Sequence, residues 1–160
     1  MHLFRQQKVD VTKLAVKLAG RSSAADIPGL QGAGQNSAQE GADGEADMMK
    51  MLKKKGVMLL HETDSSIKRL RAHEHYKFLA GKPDGAGSVD GHKFLIECKH
   101  TREAPDFLTA DKKLDRNSYH YFQIIGLLEI FNIEQCYLVC QVGQKEPFIA
   151  EIIQRDTKFF

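Results

Sequence analysis

One segment of the chain, residues 78–101 (FLAGKPDGAGSVDGHKFLIECKHT), restricts the possible folds more than any other. Residues 76–80 and 94–99 have the apolar and aromatic composition of β-strands. Between them lie the turn sequence Pro-Asp-Gly at 83–85 and the glycine-bearing residues 87–91, which predict a hairpin connection. The segment therefore predicts two neighbouring strands of a sheet.

Three charged residues of this segment are predicted to meet at one edge of that sheet. Because side chains alternate along a strand, Glu97 and Lys99 are expected on one face, with Cys98 on the other as a core residue. Pairing of the two strands would bring Asp84 beside Glu97. The predicted group is then two carboxylates and one ammonium.

Such a group suits the hydrolysis of phosphodiesters. Mg²⁺ prefers hard oxygen ligands and usually uses only one or two carboxylates together with waters, and the backbone carbonyl of Cys98 is a candidate further ligand. The metal lowers the pKa of water and neutralises charge on a phosphate, while a lysine beside it orients the water or stabilises the phosphate. Each motif alone is common: a Glu-x-Lys strand more often forms a solvated ion pair, and Pro-Asp-Gly is more often a simple turn.

The rest of the chain predicts an α/β or α+β domain built on a sheet. We predict helices at 9–20, 45–55 and 118–131, and further strands at 57–61, 135–142 and 148–153. Residues 62–74 favour a hairpin excursion, and residues 21–44 favour a loop with at most short helices. The predicted organisation is an N-terminal helix with a flexible Gly/Ser/Ala-rich segment (1–40), followed by the domain itself (41–160).

Composition excludes several classes of protein. The net charge of +2 does not by itself predict nucleic-acid binding. The three cysteines are Cys98, Cys136 and Cys140. An odd number without CxxC spacing argues against a disulfide framework or structural zinc, and predicts reduced thiols in an intracellular protein. His61, His73 and His75 could supply three zinc ligands, but no fourth ligand has suitable spacing. No apolar run is long enough to span a bilayer.

Four segments resemble, in order, the motifs of the PD-(D/E)XK superfamily, and more narrowly those of the phage lambda exonuclease and YqaJ viral recombinase family. They are residues 41–56, 78–101, 119–140 and 152–160. The first resembles the motif I helix, with Glu45 at the acidic position, and the second resembles the motif II to III block. The third resembles the glutamine-bearing helix and following strand, with Gln123 as the motif glutamine. The fourth resembles the Arg-Asp-x-x-Phe-aromatic ending of the family.

The resemblance implies a restriction-endonuclease-like core, in which helices flank a central mixed sheet. It also implies Mg²⁺ (or Mn²⁺) as the cofactor. Asp84 and Glu97 would hold the metal, and Lys99 would position or activate the water. Glu45 would contribute to a second metal site, and Gln123 would orient the site or contact the substrate backbone.

The activity implied is that of a metal-dependent deoxyribonuclease in recombination or repair, acting as a 5′-to-3′ exonuclease on duplex ends. Arg21, Ser22 and Ser23 are candidates for binding the 5′-phosphate. Basic runs at 53–55 and 68–71 are more often solvated faces, but near such a site they would contact phosphates. The implied partners are DNA, a second copy of the chain and a single-strand annealing protein, with no membrane. The alternatives are an endonuclease of the restriction or junction-resolving type, a non-catalytic DNA-binding module, and an unrelated small α/β protein.

Overall fold

A computed structural model describes residues 34–60 and 65–159 of the chain. Three sequence predictions lie outside these ranges: the helix at 9–20, the candidate 5′-phosphate residues at 21–23, and His61 as a candidate zinc ligand. Within the described ranges, no helix combines the length and the apolar character that crossing a bilayer requires.

A five-stranded mixed sheet forms the centre of the fold. The helices are α1 (Gly34–Lys54) and α2 (Tyr119–Phe131), with a short 3-10 helix at Ser65–Lys68. The strands are β1 (Met58–Leu59), β2 (Arg71–Ala72), β3 (Ala80–Gly81), β4 (Gly85–Val89), β5 (His92–Thr101), β6 (Gln135–Val142) and β7 (Phe148–Gln154). The sheet order is β1-β4-β5-β6-β7, in which β5 and β6 are parallel and the other neighbours antiparallel, while β2 and β3 form a separate pair. The predicted α/β architecture is confirmed.

The two faces of the sheet are covered by different helices. On one face Leu95 and Leu138 pack with the apolar side of α2, including Ile124. On the other face Phe94 and Ile96 pack with Met48 of α1. The alternation of β5 side chains between these two clusters follows from the two-residue period of a strand. It also fixes which helix each charged residue of β5 meets.

The central predicted elements agree closely with the structure. Helix α2 begins at the N-cap Ser118, whose Oγ accepts a hydrogen bond of 3.2 Å from the Tyr121 N–H. It ends at Asn132, which has the left-handed φ of 51°. Cys136 and Cys140 share the α2 face of β6, Cys98 faces α1, and all three thiols are buried as predicted.

Helix α1 is longer than predicted. It begins at Gly34, so the prediction of a loop through residue 44 is wrong over its last part. Helix formers such as Ala38 and Glu40 continue the helix through the glycines that suggested a loop. The division of the chain at residues 40 and 41 stays a prediction.

The partner strand of β5 also differs from the prediction. The expected strand at 76–80 is wrong except at Ala80, and the expected hairpin connection at 87–91 is in fact partly strand β4. Gly87 resembles a turn residue in the sequence, yet it is buried in the sheet. A Cβ atom there would lie 2.7 Å from Cγ1 of Val57 and 3.0 Å from the Phe94 ring. Glycine is present because these two side chains occupy the space, rather than because the chain turns.

Candidate active site

The centre of the site is Glu97 on β5, whose side chain is only 2% exposed. Lys99, two residues along the same strand, points to the same face and is 17% exposed. Its Nζ donates a hydrogen bond of 2.5 Å to Oε1 of Glu97. The strand period thus brings the two charged groups of the Glu-x-Lys motif into a buried, hydrogen-bonded ion pair.

Gln123 reaches this pair from helix α2. Its Nε2 donates to Oε1 of Glu97 at 2.6 Å, and its Oε1 accepts from Nζ of Lys99 at 3.4 Å. One amide therefore contacts both members of the ion pair. Because α2 covers the same face of the sheet as these side chains, the helix position of Gln123 follows from the packing of the core.

Asp84 lies at the start of the hairpin that contains Glu97. Gly85 pairs with Ile96 in the antiparallel register, so Asp84 lies beside Glu97. Oδ2 of Asp84 accepts a hydrogen bond of 2.8 Å from the Cys98 N–H. This bond holds the Asp84 carboxylate beside β5. The sequence predicts that Asp84 follows a strand at 76–80, whereas in the structure it immediately precedes strand β4.

Charges and burial at the site oppose each other. Burial and, after it, the charge of Asp84 raise the pKa of Glu97, and Lys99 acts in the opposite direction, so that the resulting pKa is about 7. Burial alone would lower the pKa of Lys99, but the charges of Glu97 and Asp84 outweigh it and raise that pKa above its usual range. Lys99 therefore stays charged near neutral pH, whereas Glu97 ionises at a cost.

Glu45 approaches the site from the opposite layer. It lies near the middle of α1, next to Gly44, where a Cβ atom would be 3.1 Å from Cγ of His100 and 3.2 Å from Oε1 of Gln141. The charge of Glu45 raises the pKa of Glu97, but its effect is smaller than those of burial, Asp84 and Lys99. The structure thus joins Glu97, Lys99 and Gln123 by hydrogen bonds, holds Asp84 on the neighbouring Cys98 N–H, and places Glu45 where its charge acts on Glu97.

The residues present fit a divalent cation. Oε2 of Glu97 is buried and accepts no hydrogen bond from any residue that the structure describes. In the same part of the chain no three or more His, Cys, Asp or Glu side chains lie together as a metal-binding group. A cation here would rest on Asp84, Glu97 and further oxygens such as backbone carbonyls and waters, which is the coordination that Mg²⁺ usually adopts. The role of the Cys98 carbonyl stays a prediction.

Sequence reasoning missed one residue beside the site, Tyr119. Burial raises the pKa of its phenol, the charge of Lys99 lowers it and that of Glu97 raises it, so the ring lies within the field of both. Tyr119 precedes Gln123 by four residues on α2 and therefore shares its face. That spacing is the sequence signal that could have found it.

The fold is similar to that of a solved bacterial exonuclease. An alkaline exonuclease (LHK-Exo) from Laribacter hongkongensis superposes with a TM-score of 0.54 at 16% identity, over 76% of this chain and 60% of that chain. LHK-Exo in complex with dAMP gives a TM-score of 0.57 at 16% identity, over 80% of this chain and 63% of that chain. The predicted restriction-endonuclease-like fold is confirmed, and the chain spans about three fifths of the length of the solved exonuclease. No family model matches the sequence, and no curated protein matches it significantly.

Proposed function

We propose that this chain is a divalent-metal-dependent nuclease that hydrolyses phosphodiester bonds in DNA. The observation that carries the proposal is the buried Glu97 carboxylate. One of its oxygens is held by Lys99 and Gln123, while the other has no hydrogen-bond partner among the described residues. A buried carboxylate oxygen without a partner costs stability unless a ligand compensates it, which is typical of a functional site.

In this proposal each side chain of the site has a different role in hydrolysis. Asp84 and Glu97 supply negative oxygens that would hold Mg²⁺ or Mn²⁺, with Glu45 nearby for a second ion. Bound there, the cation would supply Lewis-acid stabilisation of the phosphate and a more acidic water. Lys99, charged and 17% exposed, can donate a hydrogen bond to the water or to a phosphate oxygen. Gln123 holds both Glu97 and Lys99 in position.

We further propose that the substrate is a duplex DNA end and that the chain acts as a 5′-to-3′ exonuclease in recombination or repair. Support comes from the shared fold with an alkaline exonuclease and from the order of the four sequence motifs. Assembly with a second copy of the chain, or with a single-strand annealing protein, belongs to the same proposal. An endonuclease on this fold is the alternative outcome of the experiment below.

The test is the degradation of end-labelled linear duplex DNA with Mg²⁺, with Mn²⁺ and with EDTA. Glu97→Gln keeps the shape of the side chain and removes its charge. Glu146→Gln is the matched control, because Glu146 is exposed in the turn after β6. We expect cleavage by the wild type and the control with metal only, and no cleavage by Glu97→Gln.

A covalently closed circle in the same tube separates the two modes of cleavage. An intact circle beside a degraded linear duplex supports the exonuclease, and a cut circle supports the endonuclease. DNA binding by the wild type without cleavage would replace the nuclease proposal with a binding module. Cleavage that persists in Glu97→Gln would show that the site has been misplaced.

A further inference from the structure

A basic segment with exposed aromatic rings lies immediately before the site in the chain. The β2–β3 segment (residues 69–82) forms a short antiparallel pair in which Arg71 lies opposite Gly81. Strand β3 ends at Gly81, three residues before Asp84. The guanidinium of Arg71 lies 5.7 Å from the centroid of the Phe131 ring, which fixes the segment to α2, the helix that carries Gln123.

Two aromatic side chains of this segment face solvent. Phe78 is 65% exposed and Tyr76 is 41% exposed, and their ring centroids are 5.9 Å apart. Single exposed apolar residues are ordinary, but a neighbouring pair of rings gains nothing for folding from this exposure. At about 3.4 Å per residue, Phe78 lies within roughly 20 Å of Asp84 along the chain.

The charges around these rings favour an anionic partner. The segment contains four exposed cations and one exposed acid, Glu74. The cations are Arg69, Arg71, Lys77 and Lys82. This excess of three positive charges is larger than the net charge of +2 of the whole chain, so the segment is a locally basic surface.

A buried histidine holds the turn that presents the rings. Nδ1 of His73 accepts hydrogen bonds from the His75 and Tyr76 N–H groups at 3.1 and 2.9 Å. The His73 N–H donates to the Leu79 carbonyl at 2.7 Å, and the His73 ring stacks on Tyr76 with centroids 4.9 Å apart. The rings are thus carried on an ordered turn, so that little conformational entropy remains to be lost when a ligand binds.

From these observations we propose that the β2–β3 segment is a stacking platform for unpaired nucleotides of DNA next to the hydrolytic site. Phe78 stacks on a base, Tyr76 supports it, and the surrounding cations contact the adjoining phosphates. Aromatic rings within a basic surface are how proteins bind single strands without reading their sequence. The inference rests on the proposed function, since it assigns part of the same substrate.

The test compares two fluorescent oligonucleotides of about 12 nucleotides. One is oligothymidine, and the other has the same backbone with abasic sites throughout. Binding is measured in EDTA, where the proposed hydrolysis does not occur. Phe78→Ala should weaken binding of oligothymidine about tenfold and leave binding of the abasic strand unchanged, since stacking requires a base. Ile152→Ala, an exposed apolar residue on the edge strand β7, is the control and should change neither.

A second variant gives a direct signal of stacking. The chain contains no tryptophan, so Phe78→Trp introduces a single fluorophore at the platform. We expect its emission to be quenched by oligothymidine and not by the abasic strand. Lys77→Gln should reduce the slope of log K against log salt concentration by about 0.7, the value for one phosphate contact on a single strand.

The outcomes separate this inference from the nuclease proposal. If the wild type cleaves DNA but Phe78→Ala binds oligothymidine as tightly as the wild type, the platform is wrong and the nuclease stands. Equal weakening for the abasic and base-bearing strands would also overturn the stacking role, as would an unquenched Phe78→Trp. A wild type that neither cleaves nor binds DNA would overturn both.

Discussion

The Nε2 of Gln123 lies 2.6 Å from Oε1 of Glu97, which joins helix α2 to strand β5 across 26 positions of the chain. Lys99 donates to the same carboxylate oxygen. Both donors therefore act on one oxygen, and Oε2 of Glu97 has no hydrogen-bond partner among the described residues. The orientation of the carboxylate is set by Gln123 and Lys99 together.

Removal of the Gln123 amide should weaken metal binding more than it weakens folding. We expect Gln123→Ala to raise the Mg²⁺ concentration for half-maximal cleavage about 10- to 100-fold, the usual effect of losing a group that orients a metal ligand. The measurement is a Mg²⁺ titration of the cleavage rate. Gln144→Ala, in the exposed turn after β6, should behave as the wild type. An unchanged Mg²⁺ requirement in Gln123→Ala would show that this contact does not position Glu97 for the metal.

Neutralisation of Lys99 should affect the rate rather than DNA affinity. The ammonium lies within the site, and a donor at that position contributes most where charge develops during the reaction. We expect Lys99→Met to lower the cleavage rate about 10²- to 10³-fold and to leave the Kd for duplex DNA within a factor of about three. Lys93→Met, on the same strand but exposed, is the matched control. An equal loss of binding and rate would assign Lys99 to substrate affinity instead.

The metal-free protein should lose stability as pH rises through the range in which Glu97 ionises. In the fold its pKa is raised to about 7, mainly by burial, against 4.5 for the ordinary group. Between these values the native state binds more protons than the unfolded state, so the free energy of unfolding falls with pH and levels off above about pH 7. The loss is on the order of 3 kcal/mol.

The measurement is urea unfolding of the wild type and of Glu97→Gln in EDTA from pH 4.5 to pH 8. The variant has no charge to bury, so the difference between the two stability curves isolates Glu97. We expect the free energy of unfolding of the wild type to fall relative to that of Glu97→Gln as pH rises. Parallel curves would mean that the buried carboxyl is already compensated without metal.

A methyl group at Gly87 should destabilise the fold. The added Cβ would lie 2.7 Å from Cγ1 of Val57 and 3.0 Å from the Phe94 ring, and both of these side chains are buried, so the packing around them must shift. We expect Gly87→Ala to cost about 1–3 kcal/mol in thermal or urea unfolding. In a Val57→Ala background the same substitution should cost less, because the nearer of the two contacts is removed. The same cost in both backgrounds would argue against this steric account.

The candidate site was more predictable from the sequence than the strand that carries Asp84. The faces of Glu97, Cys98 and Lys99 follow from strand alternation alone, and Gln123 lies on a helix whose apolar period is clear. The structure places Glu97 and Lys99 on one face and Cys98 on the other as strand alternation predicts, and Gln123 contacts Glu97 as the family resemblance implies. Their chemical roles are matters for the experiments above.

The strand preceding β5 could not be recognised from local sequence. Residues 85–88 are Gly, Ala, Gly and Ser, which are not typical strand formers, yet they form a strand that pairs with β5 on one side and with β1 on the other. Conversely, residues 76–79 are rich in aromatic and apolar side chains and resemble a strand, yet His73 holds them in a turn. In both places a tertiary contact overrides local preference.

Strand β5 serves two purposes at alternate positions. Leu95, Glu97 and Lys99 face α2, whereas Phe94, Ile96 and Cys98 build the apolar layer against α1. An insertion or deletion of one residue in β5 would place the side chains of Glu97 and Lys99 in the apolar layer against α1. The same change would place the Cys98 thiol on the face of the candidate site. During evolution this strand can therefore exchange residues within each layer, but its length between the turn at Asp90 and the end of the Glu-x-Lys motif is fixed.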